Sequence, residues 1–166
     1  MKWKYTHLML FGAAGFEASI VNMINNARLG FNPEEHRFIY MHKRAYECVS
    51  GFDNTMLDEE FFTKTNKLKE YLHNTEYLFM HCNLLSAKHY LFLTGSELKK
   101  MIWVVWGHDL YRKPACGVIP KARRFAGNLW RWDYLKNHKI RQFKAIGVGF
   151  KFDAIEVKRR FGSNMK

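Results

Sequence analysis

Proline, glycine and cysteine are scarce here. Three prolines and 11 glycines among 166 residues, with no low-complexity tract, exclude a collagen-like, repeat or disordered chain. No apolar run approaches the ~20 residues that a bilayer-spanning helix requires. The opening Met1-Lys2-Trp3-Lys4 leads into a short apolar stretch, Leu8 to Phe11, that Gly12 interrupts. That stretch lacks the length of a signal-peptide core, so no leader is expected. Cys48, Cys82 and Cys116 are odd in number, lie 34 residues apart and form no CxxC pair. This argues against a disulfide framework and against a metal site, and predicts reduced, buried thiols in a cytosolic chain. What is present is 48% hydrophobic and 25% charged residues, which fits one globular domain over 1–166 with a sizeable core.

The net charge of +12 is concentrated rather than spread. Residues 1–98 hold 10 Lys/Arg and 11 Asp/Glu, whereas residues 99–166 hold 17 Lys/Arg against Asp109, Asp133, Asp153 and Glu156. Such asymmetry points to a polyanionic partner: nucleic acid, an anionic membrane surface or a phosphorylated ligand. Charge alone does not choose among them.

Periodicity predicts strands alternating with helices. Strands are expected at Tyr5–Phe11, His36–Met41, Glu76–Cys82, Met101–Trp106 and Phe143–Val148, with a short one near Cys48-Val49. Met101 to Trp106 is continuously apolar, the pattern of a strand buried on both faces of a parallel sheet. Helices are expected from Phe16 toward Gly30, over Lys64–His73, over Leu84–Leu93 with Gly95 as the stop, and after Pro120. A last helix would open at Asp153, with Glu156 three positions on as a capping-box variant, and end at Gly162. This alternation means an α/β fold, a three-layer parallel sheet with right-handed crossovers.

In such a sheet, ligands bind beyond the carboxyl ends of the strands. The first strand ends at Gly12-Ala13-Ala14-Gly15, where Gly12 and Gly15 let a ligand approach the backbone or simply form a tight turn. This is not the GxGxxG dinucleotide fingerprint. The third clear strand ends at His81-Cys82-Asn83, and the apolar Met101–Trp106 strand at Gly107-His108-Asp109-Leu110-Tyr111-Arg112. His81, His108 and Asp109 therefore converge on one crevice, with side chains suited to general-base work or sugar-hydroxyl binding. The alternative is that Asp109 caps a turn and His81 is a satisfied core histidine.

The block Trp103-Val104-Val105-Trp106-Gly107-His108-Asp109-Leu110-Tyr111 resembles the W-x-x-W-G-x-D-L-Y signature of the bacterial 4-alpha-L-fucosyltransferases. These are the TDP-4-acetamido-4,6-dideoxygalactose (TDP-Fuc4NAc):lipid II transferases of enterobacterial common antigen synthesis. Looser similarities lie in Thr6-His7-Leu8, in Leu78-Phe79-Met80-His81, and in the close Arg160-Phe161-Gly162-Ser163-Asn164. The resemblance implies a GT-B glycosyltransferase built from two Rossmann-like domains across a cleft. From its place at the strand ends Asp109 is then the first candidate for the catalytic base and His81 the second, with Gly12, Gly15, Asn83, Trp106, Gly107, His108 and Tyr111 around the substrate. No metal or other cofactor is implied. A GT-B enzyme needs two domains' worth of chain, and 166 residues supply one. The expectation is an acceptor-side, N-terminal-type half lacking the donor-binding domain and inactive alone. A lipid-linked saccharide would be its acceptor, and a nucleotide sugar would be gripped only with the second domain.

From Lys121 to Lys144 eight cations, including Arg123, Arg124 and Arg131, are interleaved with Phe125, Trp130, Trp132, Tyr134 and Phe143. An interfacial helix wants this mixture, and a lipid-linked acceptor would place its enzyme on the inner face of the bacterial plasma membrane as a cytoplasmic peripheral protein. The Ala122–Trp130 stripe also suits an ordinary helix packed on the sheet, with Trp132 off its centre. A basic nucleic-acid-binding α/β protein competes with this reading, but no helix-turn-helix, zinc or RNP-type motif supports nucleic acid as partner. A catalytically dead scaffold derived from a transferase is the third class.

Overall fold

In a computed structural model, residues 3–111, 134–149 and 151–162 are described. Six strands, β1 (Trp3–Met9), β2 (His36–Tyr40), β3 (Thr55–Leu57), β4 (Thr75–His81), β5 (Met101–Val105) and β6 (Ala145–Val148), form one sheet in the order β3-β2-β1-β4-β5-β6. Every pairing is parallel, with Met9 beside Tyr40 on one side and His81 on the other. The chain winds outward from β1 to β3, returns to the centre at β4, and winds outward again. This is the doubly wound order of a Rossmann-like fold, and its direction reverses between β1 and β4.

The crossovers carry helices α1 (Ala14–Ile24), α2 (Lys43–Glu47), α3 (Lys67–His73), α4 (Gly95–Leu98) and α5 (His108–Tyr111). A further helix, α6, covers 134–140, and α7 is Lys151–Phe161. Strand alternation sorts the apolar residues between two cores. On one face Met9, Phe38 and Tyr40 pack with Val21 and Ile24 of α1 and with Ala45 and Val49. On the other, Leu8, Ile39, Leu78, Met80 and Trp103 meet Leu68, Tyr71 and Leu72 of α3 and Val157 and Phe161 of α7. Each such buried Leu or Phe contributes roughly 1.5–3 kcal/mol.

Several expectations are corrected. Met101, Trp103 and Val105 are buried but Ile102 and Val104 only partly, so β5 is sealed on one face. The strand near Cys48-Val49 is absent: these residues follow α2 in a turn, and the strand is Thr55–Leu57. Leu84–Leu93 is not a helix but a loop with one 3-10 turn at Ala87–His89. Its Leu85, Ala87, Tyr90 and Leu93 are nonetheless buried, so core contact produces the periodic pattern without helical backbone. Gly95 opens α4 rather than stopping a helix, because Thr94 caps the helix and Glu97, its third residue, reaches back to complete a reciprocal capping box. The last helix starts at Lys151, which leaves Asp153 buried in its first turn and Glu156 paired with Arg159 and Arg160. Cys48 is exposed, against expectation, while Cys82 is buried.

Candidate active-site crevice at the carboxyl edge

The turn after β1 is built around one carboxylate. Gly12 has φ +76, and a Cβ there would stand 2.9 Å from the His42 ring, which itself hydrogen-bonds the Leu10 carbonyl at 3.2 Å. Ala13, the N-cap of α1, supplies no capping side chain. Glu17 reaches back instead, and its Oε1 accepts the Phe11 and Gly12 backbone N–H groups at 3.2 and 3.1 Å. Burial pushes the Glu17 carboxyl above its ordinary range. These N–H groups would cradle a phosphate in a dinucleotide-binding turn. Here a protein carboxylate occupies them. Gly15 lies in α1, where a Cβ would meet nothing within 4 Å.

Asp109 ties the ends of β4 and β5 together. Its Oδ2 accepts the Asn83 backbone N–H and the Trp103 indole N–H, each at 2.6 Å, and its Oδ1 accepts the Trp106 N–H at 3.2 Å. Asn83 in turn accepts the Tyr90 hydroxyl at 2.7 Å. Between His81 and Asn83 the backbone of Cys82 takes φ +67, and Gly107 takes φ +78 in the loop after β5. Burial, with Asp109 beside it, pushes the Cys82 thiol up, so it stays protonated and is no nucleophile.

Among the described residues six side chains end in buried polar atoms without a hydrogen-bond partner; His89 Nε2 lies apart in the loop after β4, and the other five are Glu17 Oε2, Tyr40 Oη, His81 Nδ1, Asn83 Nδ2 and Trp106 Nε1. They come from the first turn of α1, the last residues of β2 and β4, and the loops after β4 and β5. Leaving one such group unmade costs about 1–3 kcal/mol, and native folds tolerate few. All five belong to residues at or just beyond the carboxyl edge of the sheet, where they hold sealed donors and acceptors of the kind a polyhydroxylated ligand uses. Trp106 forms the wall: its ring stands edge-on to Phe16 at 4.5 Å, to Phe11 at 5.9 Å and to His81 at 6.0 Å. Phe16 is 57% exposed, which offers a sugar ring an apolar face.

The structure thus brings Gly12, His81, Asn83, Trp106, Gly107 and Asp109 to the same edge of the sheet. His108 and Tyr111 lie on α5, with side chains outside the described set; Arg123, Arg124, Arg131, Trp132, Cys116 and the helix expected after Pro120 lie outside the described residues altogether. Glu17 and Tyr40 went unnoticed in the sequence. A first-turn glutamate five residues after Gly12 was the available signal for one; nothing local marks the other. Among the described residues, no group of three or more His, Cys, Asp or Glu is arranged to hold a metal ion. A second, open cleft of about 880 Å³ lies at the opposite, amino edge, lined by Trp3, Lys4, Asn25, Glu35 and Asn54 among others. There Asn54 donates to the Pro33 carbonyl and pairs with Asn25, so that cleft leaves no sealed group unmatched. No protein-family model, curated protein or solved structure matches this chain.

Proposed function

We propose that this chain is the acceptor-side, Rossmann-like half of a GT-B glycosyltransferase. By its Trp103–Tyr111 block it is of the 4-alpha-L-fucosyltransferase kind, moving a Fuc4NAc-like sugar from a nucleotide donor to a lipid-linked saccharide. The observation that carries the reading is the pair of unpartnered atoms His81 Nδ1 and Trp106 Nε1 beside the Trp106–Phe16 wall at the switch point, with further unpartnered polar atoms along the same carboxyl edge. Sugar rings are recognised in this way, by hydroxyl hydrogen bonds over an apolar platform. The Glu17 carboxylate in the β1 turn favours an acceptor site over a nucleotide site, because a diphosphate there would meet a carboxylate rather than free N–H groups. A donor-binding half across the crevice would supply the nucleotide sugar.

In this mechanism His81 Nδ1, the free nitrogen at the crevice, takes the proton of the attacking acceptor hydroxyl. Asp109 positions rather than deprotonates, since three donors already occupy its carboxylate and fix Asn83 and Trp106 relative to His81. A lipid-linked acceptor sets the reaction at the inner membrane surface. Among the described residues, no helix is long and apolar enough to cross a membrane; the attachment in this reading is peripheral. The direct test is titration of the full chain with a soluble, short-chain analogue of the lipid-linked saccharide, followed by tryptophan fluorescence. Binding is expected, and Asn83→Ala or Trp106→Ala should weaken it by about 10-fold, the value of one lost hydrogen bond or stacking contact. Absence of saturable binding by the unmodified chain would overturn the reading.

A further inference from the structure

Three histidines, one on each of the three central strands, form a continuous hydrogen-bonded line inside the sheet. His7 of β1 stands in the middle: its Nδ1 is 3.0 Å from His81 Nε2 and its Nε2 is 3.0 Å from His36 Nδ1. The rings lie near-parallel, at centroid distances of 5.3 and 5.2 Å, and Phe38 and Phe79 sandwich His7 at 4.6 and 4.9 Å. Register explains the diagonal. His36 opens β2 at the amino edge, His81 closes β4 at the carboxyl edge, and inward-facing His7 lies between. All three are buried, His7 to 4% and His81 to 5% exposure. The far end, His36, sits beside the Lys4–Glu35 ion pair, whose residues line the amino-edge cleft. The near end, His81 Nδ1, is one of the unpartnered atoms of the crevice.

We propose that His81, His7 and His36 are a proton-conducting line that carries the acceptor hydroxyl's proton through the sheet to the amino-edge cleft; this rests on the transferase reading above. The geometry permits two concerted states. In one, every ring carries its proton on Nε2, so that His81 donates to His7 and His7 to His36. In the other, every ring carries it on Nδ1. The acceptor O–H bond breaks as its proton bonds to His81 Nδ1, while the oxygen's electron pair attacks the sugar carbon. The Nε2 proton of His81 then passes to His7 Nδ1, that of His7 Nε2 to His36 Nδ1, and that of His36 Nε2 leaves to water. The line resets by the reverse shift once the crevice has emptied: a proton from water bonds to His36 Nε2, the Nδ1 proton of His36 passes to His7 Nε2 and that of His7 to His81 Nε2, and the Nδ1 proton of His81 escapes to water through the crevice. No ring becomes an imidazolium at rest. That matters because burial opposes the charged form: it holds His81 at about 4 and lowers His7 and His36 as well. As an isolated base such a histidine would be weak; in the line, each proton gained is matched by one passed on. Among the described residues the charged groups facing the line are Lys4 and Glu35, both at His36, and the titratable groups facing His7 are the other two histidines. Trp106, edge-on to His81, must shift for a hydroxyl to reach Nδ1.

The test uses the full chain labelled with 15N-histidine, with long-range proton–nitrogen correlation to read each ring's tautomer. The expected result is one shared tautomer across His81, His7 and His36, and a changed tautomer population at His81 in both His36→Phe and His36→Gln. The edge position of His36 makes these variants tolerable, and the Gln side chain keeps a hydrogen bond but relays no proton. Independent tautomers, or a His81 signal indifferent to both variants, would overturn the line. Transfer assays with the nucleotide sugar, the lipid-linked acceptor and a donor-binding half give the second readout. Both variants should lower kcat by about 100-fold with KM unchanged, and should reduce a curved solvent-deuterium inventory to a single-proton one. Rescue of kcat by Gln would mean a merely structural role and would defeat the proposal. Coupled tautomers with no transfer by the unmodified chain would sink the transferase reading and leave the line standing. Normal transfer by both variants would do the reverse.

Discussion

At the scale of single residues, burial rather than charge sets the chemistry. His7 and His81 are held below the ordinary histidine value by desolvation, His81 at about 4. An unfolded chain takes up these protons as pH falls through about 6.5, whereas the folded chain refuses them until much lower pH. Between those limits the unfolded state binds more protons, so stability is full above about 6.5 and is lost as pH falls toward 4. For His7 and His81 the slope approaches about 1.4 kcal/mol per pH unit each. Urea unfolding at pH 7 and at pH 5 should therefore show a marked loss of stability on acidification, and His81→Phe should flatten it. A pH-independent midpoint in the unmodified chain would show that these rings are solvated. Glu17 works in the opposite sense, since its raised carboxyl gains protons on folding, but only nearer the carboxylate range.

At the scale of elements, the β1–α1 turn separates two glycines that look alike in sequence. Gly12→Ala would force a left-handed backbone onto an L side chain, at about 1–2 kcal/mol, and press a methyl 2.9 Å from the His42 ring. A loss of roughly 2–3 kcal/mol is expected, with weaker acceptor binding because the Glu17 contacts shift. Gly15→Ala meets open space inside α1 and should be neutral or up to ~1 kcal/mol stabilising. Comparing melting temperatures of the two variants checks both. The strands β1, β2, β4 and β5 were legible because each holds a short apolar stretch, Leu8-Met9, Phe38-Ile39-Tyr40, Tyr77–Met80 and Met101–Val105. Thr55–Leu57 was not, since three residues show no alternation and its neighbours are polar. Leu84–Leu93 misled for the opposite reason: buried loop residues at near-helical spacing imitate a helix. Of the site, His81, Asn83, Trp106 and Asp109 could be located from strand ends alone. His7 and His36 could not, because mid-strand histidines become neighbours only once β2, β1 and β4 are aligned in register.

At the scale of the whole molecule, the positive balance of residues 99–166 suits an anionic partner. On α7, Phe152 is 79% exposed and Ile155 is exposed beside Lys151 and Lys158, a mixture suited to a lipid headgroup layer. The full chain is expected to co-sediment with vesicles containing anionic lipid and not with neutral ones. Reversing Lys151 and Lys158 to Glu should weaken this by about 1 kcal/mol per cation removed. Tight, salt-sensitive oligonucleotide binding without vesicle binding would favour a nucleic-acid partner instead.

The strand order also dictates a sequence of events during synthesis. β1 emerges first yet belongs at the centre, where its two partners are β2 and β4. The β2 side can close early, because Met9, Val21, Ile24, Phe38, Tyr40, Ala45 and Val49 form a core without help from later residues. The other side of β1 waits for Thr75 to His81, whose register partners run from Trp3 to Met9. With roughly 40 residues to add at about 5–20 residues per second, a nascent half-sheet stands for seconds with a bare edge. Two such half-sheets on neighbouring ribosomes present matching edges, and a chaperone that shields β1 until β4 arrives would protect the yield of this fold more than one acting on the finished chain.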